Sequence, residues 1–132
     1  MPREIVVLSP VPPDARALVE AGAAIDGRLG LRTLDGGAVH QLCRVETAAD
    51  GTQDPGAARP VLSVHQPLQA DDAAEVARLL PGPAASAVVD WHPPFWWVEA
   101  LAPWGAAGDD GVAVAQELAL RLGGVCVVQD GT

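Results

Sequence analysis

The side chains best able to do chemistry lie in residues 90–104, which contain all four tryptophans and the only phenylalanine of the chain. The segment begins with Asp90-Trp91-His92, so a carboxylate and an imidazole stand next to the aromatic residues. Tryptophan combines a large rigid surface with one N–H donor, which suits stacking on a ligand and anchoring a protein partner. A core built from the only large aromatic side chains explains the same cluster. Both interpretations stay open at this point.

Residues 95–102 alternate in a way that is typical of a strand, and this divides the tryptophans between two faces. Trp97 and Glu99 share one face, while Trp96 and Val98 share the other. Because each face carries a large aromatic residue, we expect at least one of these two tryptophans to lie away from the helix-covered core. Trp96, Trp97, Glu99 and Trp104 are therefore candidate binding residues.

The same alternation, applied to residues 38–45, 61–65 and 87–92, places all three histidines of the chain on one predicted sheet face. The residues predicted to face the core are then Val39, Cys43, Val45, Leu62, Val64, Val89 and Trp91. If that face is open, five polar side chains gather there beside a tryptophan wall, namely His40, His65, Asp90, His92 and Glu99. We expect this polar strip to be the functional surface, with its side chains within about 12 Å of one another, the reach of a small binding site.

An Asp–His pair can act as an oriented general base, so His65, Asp90 and His92 are the catalytic candidates if the protein is an enzyme. The same groups could ligate zinc or iron, but no spacing in the sequence resembles a metal motif. No nucleophile elbow and no glycine-rich phosphate loop accompanies them. The sequence therefore predicts no metal site and no cofactor, and it leaves enzymatic activity undecided.

The elements that must position these residues follow from apolar periodicity and turn signals. Asp35-Gly36-Gly37 separates two strand-like runs and predicts a hairpin, while Asp72 and Glu75 are spaced as a capping box at a helix start. Residues 46–59 are small and polar, which is typical of a long mobile loop. The predicted strands are 4–8, 29–34, 38–45, 61–65, 87–91, 95–102 and 125–128, and the predicted helices are 13–21, 72–80 and 109–122.

The resulting order, βαβββαββαβ, predicts one α+β domain over residues 1–132. We expect a mixed, mainly antiparallel sheet with the helices on one face. In element order alone, the chain resembles ferredoxin-like proteins.

Composition limits the classes of partner. The chain has 132 residues with 49% hydrophobic and 19% charged side chains, as in folded globular proteins. Its 17 acidic and 8 basic residues give a net charge of −9, which disfavours nucleic acid and anionic membranes as partners. No apolar run is long enough to span a bilayer, and the first residues do not resemble a signal peptide, so a cytoplasmic location is expected.

The remaining residue usage points to coding bias and to a reducing compartment. Lys, Asn and Tyr are absent, which is typical of a GC-rich bacterial genome. Cys43 and Cys126 lie singly in apolar runs, so we expect small buried hydrophobic residues rather than a zinc or redox motif.

Two functions from different classes fit these observations. The first is a binding module that docks on another, basic protein through a Trp-rich sheet face, for example an immunity protein or a regulatory inhibitor. A homodimer that joins sheet faces or edges is also consistent, and it would hide this surface. The alternative is a small-molecule-binding protein or tailoring enzyme using the His/Asp site. A closed pocket holding the histidines would favour the ligand, and a flat patch with an exposed tryptophan would favour the partner.

Overall fold

A computed structural model describes residues 2–44, 51, 58–80 and 82–129, and it arranges their apolar runs into one sheet with helices packed on it. The predicted α+β class is confirmed. Val45 and most of the predicted loop 46–59 lie outside the described residues. In chain order the elements are β1 (Arg3–Ser9), α1 (Ala15–Ile25), β2 (Leu29–Leu34), β3 (Val39–Arg44), β4 (Arg59–His65), β5 (Leu68–Ala70), α2 (Ala73–Leu79), α3 (Pro83–Val88), β6 (Phe95–Ala102), α4 (Ala106–Leu122) and β7 (Val125–Gln129).

The sheet has the strand order β2-β3-β4-β6-β1-β7, and every neighbouring pair of described strands is antiparallel. β1 therefore lies between the two last strands of the chain, with Ile5 opposite both Ala100 and Val128. Because β6 and β7 run in the same direction on either side of β1, α4 connects them by crossing over that strand. The resemblance to ferredoxin-like proteins in element order stays a prediction.

β4 and β5 run along the same edge of β6 and are separated by a bulge. Val64 pairs with Ala100 and Leu68 pairs with Trp97, so three residues on one side lie opposite two on β6. The extra residue locally disrupts the ladder, and Pro67 within it has no N–H to donate. The sequence predicts a strand that ends at residue 65, because a proline follows at position 67. β5 is therefore not among the predicted strands.

The first face of the sheet is covered by the two longest helices, α1 and α4. Leu18 of α1 and Leu118 of α4 pack against sheet residues such as Val98 to form the larger core. At Gly111 of α4 an added Cβ would lie 1.9 Å from the Val61 carbonyl oxygen. Only glycine permits this approach, so α4 rests directly on the backbone of β4.

α1 begins at Ala15, two residues after the predicted start, and ends at Ile25, four residues after the predicted end at 21. Asp14 is its N-cap, with the carboxylate accepting from the Ala17 N–H at 2.8 Å. The predicted end at 21 is wrong, because Gly22 is buried against Leu42 and the helix continues to Ile25.

A charge cluster ties the end of α1 to the start of α4. Asp26 follows α1 and accepts hydrogen bonds from Arg28 and Arg44, which together hold the pKa of its carboxyl well below the usual range, the Arg28 hydrogen bond contributing most. Arg44 also pairs with Asp110 of α4, and that hydrogen bond raises the pKa of the guanidinium. Both α1 and α4 are therefore anchored to β3 through one arginine.

The second face of the sheet carries α2 and α3, so the prediction of helices on one face fits α1 and α4 only. Val6 and Leu8 of β1 point to this face and are buried there. Ile5 and Val7 point to the first face and are buried as well, so β1 is apolar on both sides and needs cover on both. Phe95 of β6 completes a separate, smaller core with α2 and α3. Two cores therefore share one sheet.

The predicted strand at 87–91 is wrong. Residues up to Val88 form α3, and the Trp91 N–H donates to the Val88 carbonyl in the turn that follows. Ala84 and Val88 are spaced by four residues, so both point to the second core from one side of a helix. This helical spacing competes with the strand signal of Val88 and Val89.

The C-terminal unit agrees with the sequence prediction. α4 starts at Ala106, slightly before Asp109, and ends at Gly123, whose φ of 71° is the left-handed conformation that favours glycine. β7 follows directly. In the described part of the chain no helix combines the length and apolar character needed to cross a membrane.

Candidate functional site

A depression of about 410 Å³ opens on the second face, next to the core under α2 and α3. Along β6 the side chains on this face change from buried Phe95 through half-buried Trp97 to exposed Glu99. The depression thus begins where the cover of the short helices ends. We call it the acidic depression, and it is lined by Glu4, Ile5, Val6, His65, Trp97, Glu99, Ala100, Leu101 and Gln129.

Two glutamates line the acidic depression from neighbouring strands. Glu99 pairs with Val6 across β6 and β1, and Glu4 pairs with Leu101. Glu4 and Glu99 are therefore diagonal neighbours on one face, with Cβ atoms about 7 Å apart. Both side chains are exposed, whereas Leu101 between them is half-buried. The result is a negative potential next to an apolar surface.

Trp97 forms one wall of the acidic depression and also orients a carboxylate. Its indole Nε1 donates to Glu99 Oε1 at 3.2 Å, while the ring packs against the second core. The ring is thus fixed by the core, and the hydrogen bond directs the carboxylate along it. Such a wall offers a π face beside a negative charge, which is the arrangement that recognises an organic cation.

His65 reaches the same site from β4. It is exposed, stands at the bulge between β4 and β5, and lines the acidic depression together with Glu99. Both residues also line a neighbouring depression of about 280 Å³ with Ala38, Gln66 and Leu68. Of the predicted polar strip, the structure brings together His65 and Glu99, beside the predicted tryptophan Trp97.

His40 lies on the opposite face, so the hypothesis that all three histidines share one face is wrong. It pairs with Val64, which points to the first core, and its Nδ1 lies 3.2 Å from Thr33 Oγ1. It lines a cavity of about 180 Å³ under the start of α1, and His65 also belongs to the lining of that cavity. Gln41, Leu42 and Cys43 of β3 are all buried, so burial on both sides hides the alternation from sequence analysis.

Asp90 and His92 do not belong to the sheet at all. They are exposed and lie in the segment between α3 and β6, because the predicted strand at 87–91 is a helix and a turn. They share neither a strand nor a register position with His65. The predicted catalytic set of His65, Asp90 and His92 is therefore not held together by any element of the described chain.

The four tryptophans have different environments. Trp91 and Trp97 pack against the second core, and the Trp91 ring meets Phe95 edge-on with centroids 5.9 Å apart. Trp96 is half-buried on the first-face side of β6. Trp104 is 55% exposed in the loop before α4, where the Arg3 guanidinium lies 5.2 Å from its ring. The cluster in the sequence is thus divided between core and surface.

The two cysteines are poor nucleophiles. Burial raises the pKa of the Cys43 thiol, and burial raises the pKa of Cys126 to about 11. Both thiols stay protonated at neutral pH, and only a thiolate reacts readily.

Six of the nine lining residues are absent from the predicted site, and three of them, Glu4, Leu101 and Gln129, present side chains on the second face. The sequence predicts a strand at 4–8 but does not assign Glu4 to a site. Its alternation with Val6 and Leu8 was the available signal, because it places the carboxylate on the same face as those valine and leucine side chains.

Among the described residues no three His, Cys, Asp or Glu side chains are grouped so that they could hold a metal ion. No family model, no curated protein and no solved structure matches this chain.

Proposed function

We propose that this protein is a non-catalytic binding module that docks on a basic segment of another protein through the acidic depression. The observation that carries this proposal is the juxtaposition of Glu4, Glu99 and the Trp97 ring on a part of the sheet that α2 and α3 leave open. An inhibitor or immunity protein acting on a basic enzyme or toxin is one concrete form of this function.

The chemistry of the acidic depression suits an arginine or lysine side chain of the partner. None of its lining residues is Arg, and the chain contains no Lys, so the two carboxylates have no cation from within the lining. A guanidinium can stack on the Trp97 ring while it donates to a carboxylate. The net charge of −9 also steers a basic partner toward the protein.

The dispersal of the polar strip argues against the enzyme hypothesis. The Asp–His general base predicted from the sequence needs the imidazole within hydrogen-bond reach of the carboxylate that orients it. Asp90 and His92 lie away from the sheet, and His40 lies on the other face. A small organic cation is nevertheless a second candidate occupant, since a cavity of about 410 Å³ has the size of a ligand pocket.

The test is native mass spectrometry on tagged protein purified from its source at low salt. We compare the wild type with the double variant Glu4→Gln/Glu99→Gln, which keeps side-chain shape and removes both charges. The control, Glu20→Gln/Glu75→Gln, removes two exposed charges from α1 and α2. We expect a second polypeptide on the wild type and the control but not on the first variant.

Binding measured with the purified pair should weaken at least about tenfold in Glu4→Gln/Glu99→Gln and should fall with added salt. A polypeptide that binds all three proteins equally contradicts the proposal. A bound mass of a few hundred daltons that is lost in His65→Ala supports the small-molecule alternative instead.

A further inference from the structure

The two longer edges of the sheet differ in how they are protected from pairing with another strand. β7 is one edge, and it contains Val-Cys-Val-Val-Gln, with no proline and no charged residue. It pairs with β1 at five successive positions without a shift in register. Its outer backbone N–H and C=O groups form a straight, uncharged template for a further strand.

The other edge, β2, carries features that discourage such pairing. Its six residues include Gly30 and the exposed Arg32. Charged side chains on an edge strand oppose the approach of another strand, and a glycine weakens the pairing it would make. β5 pairs only with β6 and is a third described edge, but its three residues are too few to template a further strand. Of the two longer edges, only β7 is unprotected.

We propose that two copies of this chain pair antiparallel through β7, with the two-fold axis at Val127. Val127 then lies opposite its own copy, Cys126 opposite Val128, and Val125 opposite Gln129. Every pair is uncharged, which matters because two chains of net charge −9 repel each other elsewhere. The contact uses β7 of both copies, so association stops at a closed dimer.

The elements beside β7 provide surface beyond the strand itself. α3 and α4 both contact β7, from opposite faces of the sheet. A second copy that pairs with β7 therefore meets the flanking helices as well as a strand pair of only five residues.

Sedimentation equilibrium of the full chain tests the proposal directly. We expect the wild type to approach twice the 13.5 kDa chain mass at high micromolar concentration. Added salt should strengthen the dimer, because it screens repulsion between two acidic chains. Binding of a basic partner to the acidic depression should instead weaken with added salt. The opposite salt dependences distinguish a failure of one proposal from a failure of the other. A wild type that stays monomeric at every concentration overturns the proposal of a dimer.

A matched pair of variants locates the contact. Val127→Lys should be monomeric, whereas Thr33→Lys on β2 should dimerise like the wild type, with circular dichroism confirming that both are folded. Because Val127 also packs on the second core, cross-linking provides a test that keeps the strand intact.

In a Cys126→Ser background, Val127→Cys should form a disulfide-linked dimer under mild oxidation, since directly opposed residues have Cα atoms about 5 Å apart. Thr33→Cys in the same background should not. A dimer that persists in Val127→Lys, or cross-linking at position 33 but not at 127, contradicts pairing through β7.

Discussion

The two faces of the sheet are covered by helices of very different length. The first face carries α1 with 11 residues and α4 with 17, whereas the second carries α2 with 7 and α3 with 6. Long helices cover the first face along most of the strands, and the short ones cover only one end of the second. The acidic depression occupies what they leave open. The candidate site is therefore a consequence of helix length on one face.

The second face also depends more strongly on a few side chains. Helices shorter than about 12 residues are marginal on their own and depend on tertiary packing. α2 and α3 contribute Val76, Leu80, Ala84 and Val88 to a core whose largest member is Phe95. The first core has more residues and includes glycine contacts to the backbone.

The largest expected effect is at Phe95. Phe95→Ala should lower the free energy of unfolding by about 3–5 kcal/mol, because it removes the centre of the smaller core. Val98→Ala on the same strand, facing the first core, should cost less, since fewer buried atoms are removed. Urea unfolding followed by circular dichroism measures both. Equal losses would contradict the dependence of the second face on one side chain.

An intermediate effect is expected at Gly111 on the first face. Gly111→Ala should destabilise the protein by about 1–3 kcal/mol, because its Cβ would meet the Val61 carbonyl and α4 must move away from β4. Gly30→Ala is the control, since a Cβ there meets no atom within 4 Å. The urea midpoints of both variants give the comparison. A urea midpoint that is unchanged in Gly111→Ala would show that α4 does not pack closely on the backbone of β4.

The smallest expected effect is the loss of one helix N-cap, which compares the local stability of the two faces. Asp14 and Asp72 are N-caps of α1 and α2, and each carboxylate accepts a backbone N–H at 2.8 Å. Replacing either by alanine should cost about 1 kcal/mol. In Asp72→Ala, amide hydrogen exchange should accelerate mainly in α2 and α3, whereas in Asp14→Ala it should follow global unfolding. The same exchange pattern in both variants would mean that the two faces open together.

Elements whose residues carry a single local pattern were predicted correctly. Elements whose residues fit two patterns, helix and strand, or propensity and packing, were not. The hairpin at Asp35-Gly36-Gly37, the strand at 95–102 and the end of the last helix at residue 122 follow local rules and are confirmed. The strand at 87–91 failed because its valines also fit a helix face. The predicted helix end at residue 21 is wrong because the packing of Gly22 on Leu42 outweighs the low helix propensity of glycine.

The site was only partly predictable for a similar reason. Trp97, Glu99 and His65 follow from strand alternation, which is a local property. His40 required knowledge of which face of β3 points to which core, and three consecutive buried residues conceal this. Glu4 belongs to the site only because β1 lies beside β6, a long-range pairing that no local pattern reveals.

The central position of β1 affects how the chain folds as it is synthesised. Residues 3–9 leave the ribosome before every other described strand, yet their partners are the strands at 95–102 and 125–129. Until those residues emerge, an apolar segment with two unpaired edges remains without its sheet. Such long-range pairing slows folding and prolongs the exposure of aggregation-prone apolar segments. The sheet of this protein therefore stays incomplete until residue 129 has been translated, even if β2, β3 and β4 pair earlier.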